Sequence, residues 1–242
     1  MRSLVLCAVF VLGGCGSTEV VETTTARERG EAWASDPSFA DTKFNAFACT
    51  TCHAVVAPPA GRVMPGAPLA GAARRKTFWG GRFLTLAEAT DECARRFMHA
   101  QPFDPAAQRW IDLWVWLESI GDKGPTDPWP FEVQLAIADP PRGDAAAGKT
   151  VWDSTCRSCH GEAKTGEGRI TDASGRRVAT IVPADTIAMH KAEGPSIVRQ
   201  VVVEKVRHGS YLGFAGVMPP FSKQTLTDKQ VADVLTYLGL YD

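Results

Sequence analysis

Two pentapeptides carry the chemistry of this chain, Cys49-Thr50-Thr51-Cys52-His53 and Cys156-Arg157-Ser158-Cys159-His160. Residues i, i+3 and i+4 of a helical turn share one face. Two thiols at that spacing can form thioethers to the two vinyl groups of one porphyrin, and the imidazole that follows can bind its iron. Cys-x-x-Cys-His is therefore read as an attachment site for a c-type haem. Two copies predict two covalent haem c groups, attached through Cys49, Cys52, Cys156 and Cys159, with His53 and His160 as iron ligands. The chemistry implied is electron transfer. A zinc ribbon would place its two Cys-x-x-Cys pairs about 15–20 residues apart, much closer than here. A thioredoxin-like pair belongs in a βαβ pattern, and the sequence has none.

The chain has 242 residues and 7 cysteines. Cys7 and Cys15 lie in an N-terminal segment where Arg2 precedes an apolar run and small residues, the pattern of a short export signal. Leu12-Gly13-Gly14-Cys15 resembles a bacterial lipobox, whose Cys becomes the lipidated N-terminus. The other reading is an ordinary secretory signal cut near Ser17. Either places the mature protein outside the cytoplasm, where c-type haem is attached. Gly16 stands where an Asp commonly retains lipoproteins at the inner membrane, which points to the periplasmic face of the outer one. No other hydrophobic run approaches the roughly 20 residues needed to cross a bilayer. With a formal net charge of −1 and no basic tract, the chain gives no sign of a nucleic-acid partner.

The elements that must position the motifs divide the chain into five parts. Residues 1–15 are the signal and lipobox, and 16–42 read as a polar, flexible tether. Residues 43–121 form a first domain that ends in a helix from about 105 to 120. Its stripe of Trp110, Leu113, Trp114, Leu117 and Ile120 is helical in period, and Gly121 is a stop signal. A Pro- and Gly-rich linker covers 122–142. The second domain, 143–242, starts with a helix running into Cys156 and ends in one begun by the capping pair Thr227 and Gln230. Only 178–182 and 197–206 suggest strands, and the latter reads better as a helix. The predicted fold is all-α.

Residues 143–242 resemble a class I cytochrome c domain. Gly148 and Trp152 match the family's small and aromatic positions at its helix crossing, and Val217-Met218-Pro219-Pro220-Phe221 matches its Met-Pro loop. The resemblance implies two tandem domains of this type, each wrapped around one haem. His160 and Met218 are then the axial ligands of the second haem, with His208 the other candidate for the sixth position.

The sixth ligand of the first haem is open among Cys93, Met98 and His99. Thr85 and Glu88 form a capping box that starts a helix. On that helix Leu86, Ala89, Thr90, Cys93 and Phe97 share the inner face, while Met98 lies about 140° and His99 about 240° from Cys93. A free Cys there can equally be a small buried hydrophobe. Residues 84–98, with the Trp-rich helix after them, resemble the thiosulfate dehydrogenase and Sox cytochrome A-subunit family. That resemblance implies Cys93 as a haem ligand and Arg96 as a group holding a sulfur oxyanion. The family tends to continue Ser-Met-Asn-Gly where this chain has Phe97-Met98-His99-Ala100.

Two functions follow as expectations. One is a lipid-anchored dihaem cytochrome c carrying single electrons between periplasmic redox proteins. The other is an oxidoreductase acting on a small sulfur anion at a Cys-ligated first haem, with Cys93 and Arg96 as its catalytic residues.

Overall fold

The computed structural model describes residues 24–210 and 216–242. The export signal, the lipobox and Cys15 lie outside the described residues. Among the described residues the regular structure is helical, with isolated bridges at Phe78–Phe83 and Thr171–Arg177 and no strand. The all-α expectation holds. The segment 178–182 makes no strand, because Val182 and Pro183 open a helix instead.

The expected tether over 16–42 does not hold where the structure describes it. Ala26–Ala34 form helix α1, begun by a capping box in which Thr25 Oγ1 accepts from Glu28 N and Glu28 accepts from Thr25 N. A short 3-10 turn, Pro37–Ala40, follows. Ala34, Phe39 and Ala40 are buried in a hydrophobic core that also takes in Leu113, Leu117 and Ile120. The first unit thus begins before residue 43. The chain then passes through a single helical turn, Cys49–Cys52 (α2), and a longer helix, Leu86–Met98 (α3), to Gln108–Ser119 (α4).

Two faces of α4 are buried. The predicted stripe meets the first core, while Asp112 and Trp116, one turn apart, meet α1 at Gly30. Arg29 of α1 donates to both carboxylate oxygens of Asp112 at 2.8 Å, and Gln108 adds a third bond at 2.9 Å. A buried carboxylate is costly unless it is paired, and this one is.

The second half repeats the arrangement. Asp144 caps Ala145–Val151 (α5), which runs through one wider π-helical turn at 152–156 into Arg157–His160 (α6). Val182–His190 (α7) and Pro195–His208 (α8) lead to Asp228–Tyr237 (α9), whose capping pair is Thr227 and Gln230. Gly148 of α5 lies on α9 at Asp233, as Gly30 of α1 lies on α4 at Asp112. A second core forms around Trp152, Val202 and Leu235.

The two cores share chain. Val217 is buried in the first, and Val63 packs against the second. Residues 122–142 contain no helix or strand, yet they are bonded along their length: Pro125 O accepts from Arg75, Gln134 O from His208, and Asp139 from Ser196 and Arg199.

Candidate functional site

A cavity partly open to solvent lies beside the first motif, enclosing about 1150 Å³ when the space at its open mouth is included. Cys49, Cys52 and His53 supply one wall. The inner face of α3 supplies another, through Leu86, Ala89, Thr90, Cys93 and Phe97. Trp129 and Phe131 of the linker close it, and Pro219 and Pro220 reach it from the second half.

The His53 ring is fixed on two sides. Its Nδ1–H donates to Ala67 O at 2.6 Å. A Cβ on Gly66 would lie 2.3 Å from its Cε1, so only glycine lets the backbone come this close. The carbonyl can only accept, which sets the tautomer and leaves Nε2 with its lone pair. Burial pushes the imidazole below its ordinary pKa, which keeps it neutral. A neutral ring held at Nδ1 by a carbonyl is how metal-binding histidines are oriented.

Of the three distal candidates only Cys93 lines this cavity. Met98 is buried in the first core instead. His99 ends α3 in the left-handed conformation, at φ 54°, and is exposed. Burial, then the neighbouring Cys49 and Glu92, push the Cys93 thiol up to about 12. A thiolate at that position therefore needs a cation beside it, which a ferric iron would be.

Arg96 is placed differently from the role the resemblance implies. It does not line the cavity. Its Nε donates to Glu92 Oε1 at 2.8 Å and its Nη1 to Ser210 O at 3.0 Å. Arg75, missed by sequence reasoning, does line the cavity, but it donates to Pro68 O, Ala70 O and Pro125 O. No sequence pattern marked it, because its partners are loop carbonyls, one of them in the linker at Pro125.

The second motif has the same local design. His160 Nδ1–H donates to Thr180 O at 3.0 Å, and burial lowers its pKa. Trp152, buried beneath it with ring centroids 5.9 Å apart, donates its indole N–H to Gly161 O. Met218 packs against the second core together with Cys156. His208 is buried too, but Nε2–H donates to Gln134 O and Nδ1 lies 3.6 Å from Glu204. That ring is engaged by the linker and its own helix.

The motifs are also close to one another. Cys159 packs against the first core as Cys49 does, and its charge state is felt at Cys52. Arg62 acts electrostatically on both of these thiols.

Residues 143–238 match the family described as cytochrome c oxidase, cbb3-type, subunit III, and the C-terminal part of the chain is a cytochrome c family domain. For the matched residues, that family implies covalent haem c. Cytochrome c-554(547) of Halothiobacillus neapolitanus is 41% identical over 56 residues, which are 20% of this chain. The chain spans 62% of that relative's length. A thiosulfate dehydrogenase (TsdBA) from Marichromatium purpuratum, in its as-isolated form, aligns at 17% identity and a TM-score of 0.41, over 88% of this chain and 45% of that one.

The residues present fit haem c. All five described cysteines are free thiols, so no disulfide among them competes for attachment. Trp129, on the wall of the first cavity, has its indole N–H buried without an acceptor. A buried donor of that kind calls for a partner, and a propionate of a bound haem would supply one. No described helix is long and apolar enough to cross a membrane.

Proposed function

We propose that the chain is an exported dihaem cytochrome c that carries single electrons between periplasmic redox proteins, anchored by lipid at Cys15. The observation that carries this reading is the matched treatment of His53 and His160. Each is kept neutral by burial, and each is held at Nδ1 by a backbone carbonyl. Structural histidines in a core have no need of that twofold pattern, each time directly after a Cys-x-x-Cys.

Bound haem c supplies one-electron chemistry between ferric and ferrous iron. The protein's part is to hold, orient and shield it. Cys49 and Cys52, with Cys156 and Cys159, tether the two groups. His53 and Cys93 would complete the first coordination shell, and His160 and Met218 the second. An anionic thiolate favours ferric iron, whereas a thioether favours ferrous iron and raises the potential. Electrons would therefore rest at the second site. Cys159 acts electrostatically on Cys52, which puts the two attachment points near one another.

A thiosulfate dehydrogenase-like activity needs a cation to hold the anion beside Cys93. Arg96 does not line the cavity, and its guanidinium is engaged by Glu92 and Ser210. Electron carriage is the reading that these contacts favour, and a thiosulfate turnover assay separates the two.

Intact-mass measurement of the mature protein tests the proposal. Two haem additions are expected, and Cys156→Ala should leave the first attachment in place. A wild-type mass carrying a single haem would sink it.

A further inference from the structure

The Met218 loop is held from the opposite half of the molecule. Ser210, at the end of α8, donates its backbone N–H to Met218 O at 2.9 Å. Gly209, at φ 55°, brings the backbone so close that a Cβ there would lie 2.3 Å from the same oxygen. The carbonyl of Ser210 in turn accepts from Arg96 Nη1 at 3.0 Å. Arg96 is locked in its turn by Glu92, which is 8% exposed and one turn earlier on α3. That helix carries Cys93. The residues on either side of Met218 also pack on the first half: Val217 is buried in the first core, and Pro219 and Pro220 line the first cavity.

We infer that Arg96 is a positioning residue for Met218: the chain Glu92–Arg96–Ser210–Met218 braces the second site's sixth ligand from the helix that carries Cys93. The inference rests on the proposed His160/Met218 pair. The physical basis is that a charged donor makes the stronger kind of hydrogen bond. Arg96 spends that bond on the carbonyl of Ser210, the residue whose N–H holds Met218 O. Two rigid attachments, Arg96 on one side and the buried Val217 on the other, keep the thioether from swinging away from its site. The coordination of one half thereby depends on a residue of the other, and Arg96 acts on ligand geometry rather than on a substrate.

The test uses the dihaem protein with Arg96→Gln, Arg96→Lys and Met218→Ala. In Arg96→Gln, the weak near-infrared absorption of an oxidised His/Met haem should weaken or vanish and the higher of the two midpoint potentials should fall. The signal of the first haem should stay unchanged. Arg96→Lys retains a charged donor able to reach Ser210 O and should restore the band in part. A lowered melting temperature alone, with band and potentials intact, would reduce Arg96 to a stability residue and overturn the inference. So would a change confined to the first haem. Loss of the band in Met218→Ala but not in Arg96→Gln defeats the inference alone. Persistence of the band in Met218→Ala defeats the ligand assignment, and the inference with it.

Discussion

The carbonyl oxygen of Asp112 lies where a side chain on Gly30 would have to go: the two would be 2.0 Å apart. Gly148 and the carbonyl of Asp233 stand in the same relationship, also at 2.0 Å. In each half a glycine on the first helix lets the last helix cross in backbone contact, and in each half the aspartate at the crossing is buried.

Gly30→Ala should therefore destabilise the protein, although alanine is the better helix former by about 1 kcal/mol. Backbone contact leaves no flexible group to yield, so the helices must separate, an overpacking cost of about 1–3 kcal/mol. The denaturant midpoint should fall. An unchanged or raised midpoint would mean that the crossing adjusts freely.

Asp172 predicts an acid-sensitive joint between the halves. Its buried carboxylate accepts from Ser174 Oγ at 2.6 Å and from Arg176 N and Nε at 3.0 Å, and these bonds, Ser174 foremost, hold its pKa down at about 2. The loop rests on the first half, with Ser174 N donating to Lys43 O and Arg176 over the Phe44 ring. An unfolded Asp titrates near 3.9, roughly. The folded value is the lower one, so the stabilisation is present above about pH 4 and is lost as pH falls toward about 2. Asp172→Asn should be less stable than wild type at neutral pH, and the gap should close over that window. A gap that is constant with pH would show that charge is not its cause.

Cys93→Ala should raise the potential of the first haem, because removing an anionic donor removes its preference for ferric iron. In the folded, oxidised wild type, Cys93 should also resist alkylation. Ready alkylation with an unchanged spectrum would take Cys93 out of the coordination shell.

Met218→Ala should lower the potential of the second haem through loss of its thioether. Potentiometric titration reads this directly. A titration indistinguishable from wild type would leave Met218 as a packing residue of the second core.

Much of this was legible in the sequence. The haem motifs, the Thr85–Glu88 and Thr227–Gln230 capping boxes and the inward face of α3 depend on spacings within one or two turns, and local spacing is what a sequence displays. Helix α1 was not legible as part of the fold, because it carries almost no hydrophobic periodicity. Its buried residues are Gly30 and Ala34, and its main bond is the ion pair of Arg29 with Asp112, so it shows almost no apolar stripe. The Thr25–Glu28 capping box was the clue available. Burial of Trp116, off the stripe predicted for α4, was invisible for the same reason: its partner is α1. Arg96 shows the other limit. The family resemblance implied that it faces a substrate, but Ser210, far along the chain, takes its guanidinium elsewhere.

Low-temperature EPR of the fully oxidised protein tests the central claim most directly, because each axial ligand set gives its own low-spin signature. Two signals of equal weight are predicted: one of narrow g-spread from His53 and a thiolate at Cys93, and one of wider spread from His160 and Met218. A single low-spin species, or two wide signals with no thiolate character, would contradict it.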